Sequence, residues 1–157
     1  MKSEDTLEYL NQTRTRLYQT LEDLSNEIIC SVPVEGSWTI KDILGHISAW
    51  EITIIKSLES LASGGEFSPD IISDVEPFNL AQVNQRRTFS LDQVKSELQE
   101  GRDAILKVAE RLSDKAWNAI YPAPWGGQDT LTNLIAGLAD HEAEHTKIIS
   151  GWREGNS

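Results

Sequence analysis

The stretch Leu131-Thr132-Asn133-Leu134-Ile135-Ala136-Gly137-Leu138-Ala139-Asp140-His141-Glu142-Ala143-Glu144-His145 sets the frame for the whole chain. Leu131, Leu134, Ile135 and Leu138 recur at helical spacing, and Ile148, Ile149 and Trp152 extend the stripe. Asp129 or Thr130 is the expected start, since either side chain can accept an orphan backbone N–H. A long helix with one apolar face must bury that face, and the rest of the chain supplies matching partners. A first helix is expected from about Asp5 to Cys30, carrying Leu7, Leu10, Leu17, Leu21, Leu24 and Ile28. Ser31-Val32-Pro33-Val34-Glu35-Gly36 breaks it. Thr39 then caps a second helix presenting Ile43, Ile47, Trp50, Ile54, Leu58 and Leu61 up to Ser63-Gly64-Gly65.

A connection of about a dozen residues follows, with Pro69 and Pro77 inside it, longer than neighbouring bundle helices need. A third helical region begins near Pro77, is interrupted around Thr88-Phe89, and restarts at the capping box Ser90-Leu91-Asp92-Gln93 to run to about Arg111. Tyr121-Pro122-Ala123-Pro124-Trp125-Gly126-Gly127 reads as a loop, and nothing reads as a sheet. The expected fold is all-α: one domain over residues 1–157, a four-helix bundle with a long crossover connection after the second helix.

The chain has 157 residues, 14 Lys+Arg against 25 Asp+Glu, and a formal net charge of −11. Residues 1–80 hold a net −9 and residues 81–157 a net −2. That acidity predicts no nucleic-acid partner and no anionic membrane surface, because both need clustered Lys/Arg. A polar N-terminus and the lack of any apolar run near the ~20 residues of a membrane span predict a cytoplasmic protein. Cys30 is the only cysteine, so an intramolecular disulfide and a thiolate metal cluster are excluded; a small buried hydrophobe is its expected role.

Three histidines remain, and their placement is the most informative feature. His141 and His145 lie four residues apart on one face of the last helix, close enough to chelate one ion. His46 lies among the core positions of the second helix and could complete a three-nitrogen site. Imidazole suits zinc, nickel, copper and iron, and three protein ligands with an open position make a reactive site. The alternative is that each histidine is a hydrogen-bonded core or boundary residue. His141-Glu142-Ala143-Glu144-His145 also fits the zinc-protease pattern H-E-x-x-H, but Ile148 and Gly151 stand where the extended form needs Gly and His, and no sheet is expected to hold a peptide. Glu142 could serve as acceptor behind the ligands or as general base, against the plainer reading of a solvated surface residue.

At these residues the sequence resembles the DinB-like, or YfiT-like, four-helix-bundle superfamily. Ser37-Trp38-Thr39-Ile40-Lys41-Asp42-Ile43-Leu44-Gly45-His46-Ile47, with Trp50 and Glu51 after it, carries one half of the likeness. Thr130 to Ile135, continuing through His141 and His145, carries the other. The resemblance implies a divalent metal, zinc or nickel, held by His46, His141 and His145. The Pro77-Phe78-Asn79 turn, Tyr121 and the Trp125-Gly126-Gly127 loop look like the ClbS/DfsB-like branch. Activities implied are thiol S-transfer, hydrolysis or another detoxifying reaction on a small electrophilic substrate, with a low-molecular-weight thiol such as bacillithiol or mycothiol as candidate cofactor and a homodimer as candidate assembly. Trp50 and Trp125 are candidate pocket walls, and Arg86 and Arg87 candidate partners for a thiol's carboxylates. The competing expectations are a non-catalytic module that sequesters a small molecule or metal, and a structural bundle with a vestigial site.

Overall fold

A computed structural model describes Ser3–Asn156. In chain order the elements are α1 (Ser3–Leu21), α2 (Asn26–Ser31), β1 (Pro33–Glu35), β2 (Trp38–Thr39), α3 (Ile40–Ala62), α4 (Val75–Arg86), α5 (Leu91–Ala109), α6 (Asp114–Asn118), β3 (Ile120–Pro122), β4 (Gln128–Thr130) and α7 (Leu131–Gly155). The fold is all-α, and α1, α3, α5 and α7 form its bundle.

The cross-helix bonds reveal the direction of each helix. Tyr9 reaches Asp140, Thr13 reaches Glu142 and Arg153 reaches back to Thr20, so α1 and α7 run parallel. Leu44, Ile47, Val94 and Leu98 share one apolar cluster while Ile54, Leu58, Ile105 and Val108 share the other, so α3 and α5 also run parallel. Parallel neighbours cannot be joined by a tight turn. The long connection and α4 carry the chain back along the bundle, which is the physical reason for the crossover expected from loop length. Buried Phe67 pins the connection to the core, and the Ile72 N–H donates to the Pro124 carbonyl at 2.7 Å.

Several boundaries differ from expectation. The helix expected over Asp5–Cys30 stops at Leu21 and restarts as α2. Asp23 turns the chain with φ +67°, and the Ser25 side chain caps α2 by accepting from the Ile28 N–H. Leu17, Leu21, Leu24 and Ile28 keep helical spacing across this break, so periodicity could not show it. Cys30 is exposed on α2, not buried. Pro77 lies in the first turn of α4, where a missing N–H costs nothing. The capping boxes of Thr39 with Asp42 and of Ser90 with Gln93 form at the helix starts read from the sequence, and Thr130 caps α7.

Two small antiparallel hairpins also correct the sheet-free reading. β1 pairs with β2, and β3 with β4 in the register Ile120↔Thr130, Tyr121↔Asp129, Pro122↔Gln128. Gly126 and Gly127, at φ +104° and +76°, turn the second one. Strands of two or three residues are too short to show a two-residue period. Each hairpin leads directly into a bundle helix, the first into α3 and the second into α7.

Candidate metal centre

The bundle interior is divided by a polar layer. One apolar cluster includes Leu10, Ile54, Ile105 and Leu138; the other includes Leu17, Ile43, Leu98 and Ile149. Between them lie Arg14 of α1, Glu51 of α3, Arg102 of α5 and Glu142 of α7. Arg14 bonds Glu51 at 2.9 Å and Glu142 at 2.6 Å; Arg102 bonds the same carboxylates at 2.5 and 3.2 Å. The Thr13 hydroxyl donates to Glu142 at 2.7 Å. Two guanidiniums and two carboxylates balance in charge, although Glu51 Oε2 and Arg102 Nε make no hydrogen bond. Burial pushes the Glu51 carboxyl above its ordinary pKa, against the pull of Arg102 and Arg14.

Glu142 therefore sits elsewhere than on a solvated surface. It is fully buried, with one oxygen on Thr13 and Arg102 and the other on Arg14. Both oxygens of Glu142 are engaged by Thr13, Arg14 and Arg102, and the residue is not among those lining the cavity beside the histidines.

Beside this layer, in the angle between α3 and α7, the three histidines converge. The Nε2 atoms of His46 and His141 are 2.9 Å apart, and those of His141 and His145 are 3.1 Å apart. His46 is 3% exposed and His145 8%. At the preceding residue, Gly45, α4 packs closely on α3: a Cβ there would stand 2.9 Å from the Arg86 side chain. Burial, then the neighbouring imidazoles, lowers His46 from 6.5 to about 3; burial, then His145, lowers His141 to about 4. Both rings are thus neutral near pH 7 and keep a lone pair for an ion.

Glu35, at the end of β1, completes the arrangement. Its Oε2 lies 2.9 Å from His145 Nδ1. A carboxylate accepts only, so the Nδ1 proton of His145 is fixed there and the Nε2 lone pair is turned inward. His141 Nε2 then faces that lone pair and His46 Nε2 at once, and one proton cannot serve every contact unless His46 keeps its proton on Nδ1. That buried Nδ1 has no partner. Three inward nitrogens, two of them on the rings that burial keeps neutral, His46 and His141, are a set that a cation resolves. Nitrogens sharing one tetrahedral zinc at about 2.0–2.1 Å lie roughly 3.3 Å from one another, close to the spacing observed. The residues fit a divalent ion.

A cavity of about 310 Å³ opens against His46 and His141. Trp50 and Trp125, the expected walls, both line it, with ring centroids 6.2 Å apart and edge to face. Val75, Asn79, Gly137 and Leu138 form the rest of its lining, and the Trp50 indole N–H donates to Asn79 Oδ1 at 2.8 Å. Arg86 does not face the cavity: it is buried against Glu97 at 2.5 Å and Gln82 at 2.6 Å. Arg87 is exposed and lies 3.6 Å from Asp42. Sequence reasoning missed Glu35, which lay in a segment read only as a helix breaker. It also left Asn79 without a role.

Fold and site together define an all-helical bundle with a three-histidine cluster at a pocket. The chain belongs to the DinB superfamily, whose pattern matches residues 9–149. A protein of Oceanobacillus iheyensis named "Putative metal-dependent hydrolase OB0413" is 27% identical over 159 residues, covering 98% of this chain and 88% of the relative. Among solved structures, the mycothiol-dependent maleylpyruvate isomerase superposes with a TM-score of 0.79 at 13% identity, over 95% of this chain and 61% of that longer protein. The colibactin self-resistance protein ClbS, solved in complex with double-stranded DNA, superposes with a TM-score of 0.79 at 13% identity, over 97% of this chain and 95% of that one. That complex corrects the exclusion of nucleic acid drawn from net charge: the fold is compatible with a DNA partner, and overall charge does not decide the matter. Among the described residues, no helix is long and apolar enough to cross a membrane.

Proposed function

We propose that the protein is a divalent-metal-dependent hydrolase of small electrophilic molecules, with His46, His141 and His145 as the metal ligands. The observation that carries this reading is the convergence of three Nε2 atoms, two of their contacts at 2.9 and 3.1 Å, at the wall of an apolar cavity. Zinc or nickel suits three imidazoles, and geometry and supply choose between them. When bound, such an ion supplies Lewis acidity toward a carbonyl or an activated nucleophile near neutral pH. Glu35 holds the proton on His145 Nδ1 and keeps the ring turned toward the ion. Trp50 and Trp125 exclude bulk water from the substrate's apolar part. Burial keeps His46 and His141 unprotonated and ready to bind.

Thiol S-transfer uses the same centre with a low-molecular-weight thiol as second substrate. Hydrolysis is better supported because the residues lining the cavity include no Lys or Arg to hold a thiol's carboxylates, Arg86 being occupied by Glu97. The relative's name points the same way.

Metal analysis of the purified protein tests the reading. About one equivalent of zinc or nickel is expected after loading and desalting, and none in His141→Ala. Loading should also raise the unfolding free energy by about 4 kcal/mol at a thousandfold excess over Kd, a gain absent from the variant. A wild-type protein that retains no divalent ion after loading overturns the proposal.

A further inference from the structure

Trp50 and Asn79 form a directional pair at the cavity wall. An indole N–H can only donate, so the 2.8 Å bond requires Asn79 to present its carbonyl oxygen to Trp50. The orientation of this amide is therefore settled by chemistry. Its NH₂ group points away from Trp50, and Asn79 is only partly buried while lining the cavity beside His46 and His141. Trp50 itself is buried at 5% exposure and packed on Phe78, with centroids 4.8 Å apart, so the bond anchors a side chain near the start of α4 to the bundle core. The other walls are Val75, Leu138, Gly137 and Trp125, none of which carries a charge.

Gly137 bears on the shape of this space. A Cβ there would meet Trp125 at 3.5 Å, an ordinary contact, so packing does not demand glycine. Its position in the middle of α7 costs helix stability relative to alanine, and the room it leaves lies in the cavity. At about 310 Å³ the space is at the small end of ligand pockets and suits one ring system with a short substituent.

We propose that this cavity selects an uncharged, flat, mainly apolar ligand bearing a carbonyl oxygen, and that the Asn79 NH₂ group donates to that oxygen and determines the specificity. The ligand's ring packs on Trp50 and Trp125, and its carbonyl end lies toward His46 and His141. What the bound molecule then undergoes rests on the metal-dependent reading; that it binds does not. In the metal-free protein a carboxylate is disfavoured because no Lys or Arg lines the walls, and a plain hydrocarbon leaves the amide donor unmatched.

The test is a titration of the full-length, isotopically labelled protein, as purified and after chelation. It follows the indole N–H and Asn side-chain signals with benzamide, toluene and benzoate as probes. Benzamide should bind the chelated wild type more tightly than either of the others. Asn79→Asp keeps an acceptor for Trp50 but removes the donor. It should weaken benzamide by about tenfold, the worth of one neutral hydrogen bond, while changing toluene binding less than about twofold. Toluene or benzoate binding the wild type as tightly as benzamide overturns the proposal, and this ranking needs no variant to fold. Equal weakening of benzamide and toluene in Asn79→Asp also overturns it. Because the chelated protein carries the comparison, failure of the metal reading would appear in the metal analysis and leave the probe ranking untouched.

Discussion

Two groups of polar side chains are buried within one bundle, in one case on adjacent residues: His141 and Glu142 follow each other on α7. Glu142 joins Arg14, Glu51 and Arg102 in a layer where every charge meets its opposite at 3.2 Å or less. His46, His141 and His145 instead turn like atoms toward one another, with His46 Nδ1 left unpartnered. Both groups lose hydration; the first cancels its charge internally even though Glu51 Oε2 and Arg102 Nε make no hydrogen bond, whereas in the second only His145 has a partner outside the cluster, Glu35. Breaking a buried cluster whose charges cancel internally is costly because a charge is left uncompensated, and a cluster that turns like atoms together leaves room for a cation. The neighbouring acid Glu142 is taken up by the ionic layer, whereas Glu35, arriving from a hairpin, meets the His145 ring at 2.9 Å.

This contrast can be broken experimentally, and the ionic layer should give the largest effect. Glu142→Ala leaves Arg14 and Arg102 each short of a buried partner, so a loss of about 3–5 kcal/mol in denaturant unfolding is expected. A loss below about 1 kcal/mol would mean that the layer is not what holds the helices. Glu35→Gln comes next. Removing the charged acceptor behind His145 should weaken zinc affinity by about 10–100-fold in a competition titration. Metal-free stability should change by less than about 1 kcal/mol, since this pair is partly exposed. An unchanged affinity would assign Glu35 to the hairpin alone. The smallest effect belongs to Gly137→Ala, which should raise the unfolding free energy by about 0.5–1 kcal/mol through helix propensity. Binding of aromatic probes in the cavity should weaken at the same time. Greater stability with unaltered binding would show that ligands do not use the space beside Gly137.

Much of this was readable from the chain. The three histidines stood out because an i, i+4 pair must share a face, and Leu134 and Leu138 marked that face as inward. Thr39, Ser90 and Thr130 announced their helices through local hydrogen bonds that depend on nearby residues alone. The ionic layer was not readable. Arg14 and Glu142 are separated by 128 residues, and Arg102 and Glu51 by 51, so no local pattern couples them. Helical spacing places Glu142 on a different side of α7 from His141, but it does not name what waits there. Asp23 escaped for the opposite reason: one residue with positive φ ends a helix without disturbing the leucine period around it. Glu35 and Asn79 acquire roles only through tertiary partners, His145 and Trp50.

The ionic layer also bears on how the bundle is assembled during synthesis. It draws one side chain from each of α1, α3, α5 and α7, and Glu142 is the last to be made. A nascent chain that has α1, α3 and α5 but not α7 holds two guanidiniums and one carboxylate at this level, so closing its core would bury an uncompensated positive charge. Partial bundles are therefore penalised until α7 arrives. Docking of α7 supplies the carboxylate that balances the interior and, through the same helix, brings His141 and His145 to His46.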